Sequence, residues 1–184
     1  MRRNALNFAL VAFSFFLIFS SSSFAFEPFV QTENSAGFKE VRAENGMVLQ
    51  WRVEDTRLHV ILEAPTKGWV GIGFHPELKM QGANFIIGYV RGGDVVVTDH
   101  FGTRKDRHAS DTKLKGSEDV VVIGGTEEGG KTTIEFSIPL VTDDPNDKPL
   151  VPGESTLVLL SYGSQDNFTK VHTIEAEAKG DIKL

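Results

Sequence analysis

Residues 68–91, GWVGIGFHPELKMQGANFIIGYVR, contain two apolar segments rich in glycine on either side of a short polar connection. Each apolar segment has the length of a strand, and the residues between them favour a turn, so the stretch predicts a strand, a loop and a second strand. Met80 lies in the connection, between Lys79 and Gln81. Methionine usually fills gaps in a core, but charged, polar and glycine neighbours predict a loop position for this one. Met80 is therefore a candidate for a role other than packing.

The chain on both sides of this stretch is also predicted to be strand and turn. Apolar and polar residues alternate with period two in several segments, which indicates strands buried on one face. The predicted strands are residues 38–43, 47–54, 57–64, 69–74, 84–91, 94–101, 119–123, 131–140, 156–162 and 169–176. Gly92 and Gly93 predict a hairpin turn, residues 126–128 predict another turn, and the residues after 176 predict a frayed polar tail. This pattern predicts an all-β fold, an antiparallel immunoglobulin-like β-sandwich.

Two segments lack the strand pattern. Residues 102–116 are rich in lysine and arginine and predict a basic exposed loop, which is either a docking site for an acidic partner or a solvated loop. Residues 141–154 are rich in aspartate and proline. Asp143, Asp144 and Asp147 lack the spacing of a calcium-binding loop, so we predict that they are turn residues.

The amino terminus has the features of an export signal. Arg2 and Arg3 precede an apolar run over residues 8–19. The sequence Ser23-Phe24-Ala25 then places small residues at the two positions that a signal peptidase recognises. We predict a signal peptide over residues 1–25, cleavage after Ala25, and one domain over residues 26–184. An uncleaved anchor is the alternative, although the run is short for a membrane span. The expected location is exported, in a periplasm or outside the cell.

Composition limits the possible functions. The chain has 184 residues, of which 40% are hydrophobic, enough for one core. The formal net charge is −6, and it becomes −8 without the two arginines of the leader. This acidity argues against nucleic acid and anionic lipid as partners. No second apolar segment reaches spanning length, so we predict no membrane span in the mature chain. Cysteine is absent, which excludes disulfides, thiolate metal sites and covalent haem attachment.

Several motifs, taken in order, resemble the DOMON family of exported β-sandwich domains. The first three are GWVGIGF, Met80-x-Gly82-Ala83-x-Phe85-Ile86-Ile87-Gly88 and Asp94-Val95-Val96-Val97-Thr98-Asp99. The later ones are Pro139-Leu140, the turn at residues 143–147, Pro152-Gly153, and Ser161-Tyr162-Gly163 followed by Asp166, Phe168 and His172. The resemblance extends over residues 47–173.

The resemblance implies a cofactor and its ligands. One branch of the family, which includes the cytochrome domains of cellobiose dehydrogenases, holds non-covalent haem b at one end of the sandwich, and another branch binds sugars. The haem branch uses a methionine from the loop after the GWxGxGF-like strand and a histidine near the carboxyl terminus. Met80 and His172 occupy the matching positions. The apolar walls of such a pocket are expected from Trp69, Ile72, Phe74, Phe85, Ile87 and Tyr89, together with Val70.

The chemistry of this ligand pair indicates electron transfer rather than catalysis. A thioether opposite an imidazole fills both axial positions of a haem iron, which leaves no site for oxygen activation. His75 is the main rival ligand, because it is close to Met80 in sequence and would give a bis-histidine centre. His100 and His108 are weaker candidates, and we predict a structural role for His59.

Two functions of different classes follow. The first is an exported b-type cytochrome domain, not an enzyme, that relays single electrons to or from a redox partner protein, whether soluble or membrane-bound. The alternative is a carbohydrate-binding module of the same fold without haem, in which Trp51, Trp69 or Tyr162 stacks on a sugar ring.

Overall fold

The computed structural model describes residues 29–170, 172 and 176–184. Within them, two six-stranded sheets pack face to face, and every strand pair is antiparallel. The strands are β1 Thr32–Glu33, β2 Lys39–Arg42, β3 Val48–Glu54, β4 Arg57–Ala64, β5 Val70–Phe74, β6 Asn84–Arg91, β7 Asp94–Arg104, β8 Arg107–Ser110, β9 Val121–Glu128, β10 Lys131–Pro139, β11 Ser155–Tyr162 and β12 Glu177–Lys183. The predicted all-β antiparallel sandwich is confirmed.

The two sheets have different strand orders. The first sheet runs β1-β2-β3-β4-β10-β9, and the second runs β12-β11-β5-β6-β7-β8. The predicted turn at Gly92 and Gly93 joins β6 to β7, and both residues have the positive φ that a tight hairpin requires, 61° and 93°. The second sheet contains both segments of the opening stretch, β5 and β6, as adjacent central strands.

One hydrophobic core fills the space between the sheets. Because side chains alternate along a strand, every second residue of both sheets points inward. Trp51, Leu62, Phe136, Ile86 and Leu160 are each at most 1% exposed there. This core leaves the outer surface of the second sheet available for other contacts.

Residues 102–116 are not the loop that their sequence predicts. β7 continues to Arg104 and returns as β8, so these residues form a hairpin with a short turn at 105–106. A short 3-10 helix, Asp111–Leu114, follows. The sequence does not predict these strands because both faces of the hairpin carry polar side chains, so apolar and polar residues do not alternate. Lys105 and its neighbours at the tip are exposed, as predicted.

The carboxyl terminus also differs from the prediction. Residues 177–183 form β12, which pairs with β11 and buries Ile182 to 1% exposure. Residues 126–128 belong to β9, and Gly129 and Gly130 make the turn instead. Of the predicted strand 169–176, residues 169 and 170 lie in a turn, and residues 171 and 173–175 lie outside the described residues.

The predicted signal peptide, residues 1–25, lies outside the described residues too. In the part of the chain that is described, no helix has the length and apolar character needed to cross a membrane.

Candidate functional site

The outer surface of the second sheet carries a second apolar cluster, separate from the main core. Trp69, Phe85 and Ile87 are only 4–6% exposed, although they point away from the space between the sheets. We call this cluster the aromatic face. It consists of Trp69, Ala83, Phe85 and Ile87, with Met80, Tyr89, Leu159 and Phe168 packed against them.

Two glycines of β5 form the floor of the aromatic face. Gly73 pairs with Phe85, and Gly71 pairs with Ile87. A Cβ atom at Gly73 would lie 2.4 Å from the Phe85 ring, and one at Gly71 would lie 3.3 Å from Ile87 Cγ1. The central strand therefore contributes only backbone to this surface, and the absence of a Cβ atom lets Phe85 and Ile87 pack close against the sheet.

Met80 occupies the predicted loop, between β5 and β6, and is half-buried at the border of the aromatic face. The loop is fixed against the β7–β8 hairpin by backbone hydrogen bonds. The Met80 N–H donates to the Lys105 carbonyl at 3.4 Å, and the Gly82 N–H donates to the Gly102 carbonyl at 2.8 Å. The backbone of the Met80 loop is thus held by the β7–β8 hairpin, in the segment that the sequence predicts as a loop.

His172 lies against the aromatic face at Trp69. The two rings are 6.1 Å apart between centroids and meet edge to face, at 73°. His172 Nε2 is 3.1 Å from a carboxylate oxygen of Glu177. The Trp69 indole N–H donates to the Lys170 carbonyl at 3.1 Å, which holds the segment before His172 on this ring. Met80 packs against the aromatic face and His172 contacts Trp69 of the same face, so both predicted ligands border one surface.

Ile72 and Phe74 do not belong to this surface, and their prediction as pocket walls is wrong. They are at most 2% exposed within the main core, as is Val70. The reason is the period of the strand. Trp69, Gly71 and Gly73 point outward, so the residues between them must point inward. The other predicted wall residues, Trp69, Phe85, Ile87 and Tyr89, do share the aromatic face.

Two histidines that the sequence analysis ranked low also border the aromatic face. His100 Nδ1 and His108 Nδ1 are 2.8 Å apart, so one imidazole donates to the other. The His108 ring is 5.9 Å from Phe85, and the His100 ring is 5.8 Å from Phe168. Burial and the neighbouring His108 lower the pKa of His100 to about 4, and burial lowers the pKa of His108. Both rings are therefore neutral at neutral pH.

The other two histidines lie elsewhere. His75, the main rival ligand in the sequence analysis, lines a small cavity at the end of the main core with Phe74 and Leu150. His59 belongs to the first sheet, where its Nε2 is 2.7 Å from a Glu135 carboxylate oxygen and its ring contacts Phe38. Neither side chain is part of the aromatic face.

The histidine pair should make the protein sensitive to acid. Because the folded state holds His108 below its ordinary pKa of 6.5, its stabilising contribution is complete above about pH 6.5 and is lost as the pH falls below that value. We expect His108→Gln to lose less stability than the wild type between pH 7.5 and pH 5, measured by urea unfolding. Equal losses in His108→Gln and the wild type would contradict this explanation.

Known proteins share this sequence pattern and this fold. The DOMON domain family matches residues 43–163. DBH-like monooxygenase protein 1 of Mus musculus is 35% identical over 119 residues, which are 64% of this chain and 18% of that protein. Putative DBH-like monooxygenase protein 2 of Homo sapiens is 31% identical over 126 residues, 66% of this chain and 24% of that protein. The chain thus spans about a fifth of the length of these relatives.

Two solved structures resemble the sandwich over most of its length. The cytochrome domain of Myriococcum thermophilum cellobiose dehydrogenase has a TM-score of 0.63 and 10% identity, with 85% of this chain and 88% of that chain covered. The cytochrome b domain of pyranose dehydrogenase from Coprinopsis cinerea has a TM-score of 0.60 and 12% identity, with 83% and 87% covered. At such identities the likeness establishes a common fold. Together with the match over residues 43–163, it means that this chain belongs to the DOMON family.

Proposed function

We propose that this chain is an exported electron-transfer domain that binds haem b on its aromatic face, with Met80 and His172 as the axial ligands. The observation that carries the proposal is the convergence of a thioether and an imidazole on one apolar surface with a glycine floor. The fold shared with two cytochrome domains supports it.

The residues present fit such a cofactor. When bound, haem supplies a reversible one-electron couple, and a Met/His ligand pair favours the reduced state relative to two imidazoles. Phe85 and Ile87, which pack over Gly73 and Gly71, would supply an apolar surface that excludes water from the ring. The Glu177 carboxylate near His172 Nε2 orients the imidazole, as neighbouring carboxylates do for ligating histidines.

We further propose that electrons pass to or from a redox partner protein, either soluble or anchored in a membrane. Arg104, Lys105 and Arg107 are exposed at the tip of the β7–β8 hairpin. This tip adjoins the Met80 loop through the hydrogen bond from Met80 to Lys105. In a chain of net charge −6, such a basic patch favours an encounter with an acidic surface close to the proposed ligand. The predicted signal peptide is the basis for the proposed export.

The proposed role is that of a relay and not of a catalyst. Some relatives carry the name monooxygenase, but the similar segment is about a fifth of their length. If Met80 and His172 both held a haem iron, the pair would favour electron transfer over oxygen activation. The activity in those names is therefore not proposed for this chain.

The structure gives little support to the sugar-binding alternative. Sugar recognition by stacking needs an aromatic ring that faces solvent. Trp51 is 1% exposed in the main core, and Trp69 is 6% exposed under its neighbours. Tyr162 packs against the main core, and its hydroxyl donates to the Asn45 carbonyl at 3.3 Å. Trp51 and Tyr162 therefore belong to the main core, and Trp69 belongs to the aromatic face that we assign to haem.

Haem titration tests the proposed function. The protein is purified without haem, titrated with haemin, and followed by absorbance in the oxidised and dithionite-reduced states. We expect saturable binding of one haem per chain and a sharp α-band on reduction, because two strong axial ligands give a low-spin centre. Binding that does not saturate, or a reduced spectrum identical to that of free haem in buffer, would refute the proposal.

A further inference from the structure

A group of three carboxylates, two buried and one half-buried, lies on the opposite side of the strands that carry the aromatic face. Asp99 points inward from β7, Asp111 begins the 3-10 helix, and Asp147 lies in the loop between β10 and β11. One carboxylate oxygen from each lies within 4.8 Å of the others. Asp99 and Asp111 are each only 1% exposed.

The oxygens of this group lack the partners that buried polar atoms normally have. In the described part of the chain, both carboxylate oxygens of Asp99 and of Asp111 are buried without a hydrogen bond of ordinary geometry, and the Asn146 amide beside Asp111 is itself unpaired. Asn84 Oδ1 is also buried without one, while the Asn84 Nδ2 donates to the Asp147 carboxylate. Asn84 lines the same small cavity as Asp99 and Asp147. Buried polar groups in folded proteins are almost always satisfied, so five orphaned oxygens at one place indicate an absent partner.

The surrounding charges do not neutralise the group. Burial and the neighbouring carboxylates raise the pKa of Asp99 to about 9 and that of Asp111 to about 7. Glu118, Asp119 and Asp144 add further negative charge from nearby segments. Lys148 lines the cavity but directs its ammonium group to the His75 carbonyl and to Glu77. A bound cation would supply the missing positive charge.

We propose that Asp99, Asp111 and Asp147, with Asn84 Oδ1, form a Ca²⁺ site. The ligands are all oxygens, which select a hard cation over zinc or copper. Ca²⁺ binds oxygens at about 2.3–2.6 Å, so opposite ligands lie about 5 Å apart. The spacing of the three carboxylates fits within that separation. Asp147 also has the turn role that the sequence predicts, because its N–H donates to the Asp144 carbonyl at 3.1 Å.

This site would join parts of the fold that the sheets alone do not connect. Its residues come from β6, β7, the 3-10 helix after β8, and the loop that follows β10 of the first sheet. Asn84 and Asp99 are the immediate neighbours of Phe85 and His100, which point to the other side of the same strands. The ion would therefore stabilise β6 and β7, which carry part of the aromatic face, from the side that faces the main core. This inference is independent of haem binding.

Calorimetry of the whole chain tests the site. After EDTA treatment and its removal, the protein is titrated with CaCl₂ or MgCl₂ by isothermal titration, and the melting temperature is recorded with each salt and in EDTA. We expect one Ca²⁺ per chain and a higher melting temperature with Ca²⁺, because a ligand that binds only the folded state stabilises it. Mg²⁺ should act more weakly, since it loses its water reluctantly.

Single substitutions identify the ligands. Asp99→Asn and Asp111→Asn should each lose the Ca²⁺-dependent rise in melting temperature, because an amide oxygen is a weaker Ca²⁺ ligand than a carboxylate. Asp143→Asn is the matched control, an exposed aspartate in the same loop as Asp147, and should keep the full rise. Absence of Ca²⁺ binding by the wild type would overturn the proposal, whether or not the variants fold. An undiminished rise in both Asn variants, or an equal effect of Mg²⁺, would also overturn it.

Discussion

Met80→Ala should abolish the low-spin, six-coordinate spectrum of the haem-loaded protein and leave the fold intact. The thioether is the only proposed ligand on its side of the iron, so its loss leaves a five-coordinate centre with a weak, broadened reduced α-band. Haem affinity should fall by at least about 10-fold. Removing a residue that only supports a metal ligand already costs about 10- to 100-fold in affinity, and Met80 is a proposed ligand itself. Far-ultraviolet circular dichroism should be unchanged, because Met80 lies in a loop and not in the main core.

Two controls separate the ligand role from a general effect of the loop. Leu78→Ala removes a side chain that is 59% exposed in the same loop, and should keep the wild-type spectrum. His75→Gln removes the rival histidine and should also keep it. A Met80→Ala spectrum identical to that of the wild type would remove Met80 from the site. Loss of the low-spin spectrum in His75→Gln would assign the ligand role to His75.

Gly102→Ala should both destabilise the protein and displace Met80. A Cβ atom at Gly102 would lie 1.8 Å from the Met80 carbonyl oxygen and 3.3 Å from the Ala83 nitrogen. These are backbone atoms, so no side-chain rotation relieves the overlap, and the loop must move away from the hairpin. The Gly102 N–H also donates to the Ala83 carbonyl at 2.8 Å, and this bond would be strained. We expect a loss of about 3 kcal/mol in the free energy of unfolding, the upper part of the range for overpacking.

Gly124→Ala is the matched control for this substitution. Gly124 also lies in a strand, but a Cβ atom there would meet nothing within 4 Å. Its free energy of unfolding should stay within about 1 kcal/mol of the wild type, as expected for glycine to alanine at a permissive site. Urea unfolding measures the stabilities, and haem titration measures the displacement of Met80. Equal stability of the two alanine variants would show that the hairpin does not fix the Met80 loop.

The strands with clean alternation could be predicted from the sequence. Residues 57–64 follow a period-two pattern and residues 84–91 form an apolar segment between turn residues, and both predictions have the bounds that the structure has. β8 and β12 were missed because neither has a continuous apolar side. In β12 the inward positions are Ala178, Gly180 and Ile182, of which only one is a large apolar residue.

The site was only partly accessible to sequence reasoning. Side chains of the GWVGIGF segment alternate between two sides, and the packing of the two sheets decides which side faces the main core. The sequence does not specify that packing, so the prediction places Ile72 and Phe74 on the wrong side. His100 joins the aromatic face because its strand pairs it with Phe85, a register that no local pattern specifies. Asp99, Asp111 and Asp147 meet only through tertiary folding, so no linear motif marks them.

The most direct test of the central claim is an NMR spectrum of the reduced, haem-loaded mature protein labelled at its methionine methyl groups. Besides Met1 in the predicted leader, the chain has only Met47, in the main core, and Met80. We predict that the Met80 methyl resonance lies far upfield, because a methyl group bound above the haem plane experiences the full ring current, while the Met47 resonance stays in the ordinary range. Two methionine resonances in the ordinary range would contradict Met80 ligation.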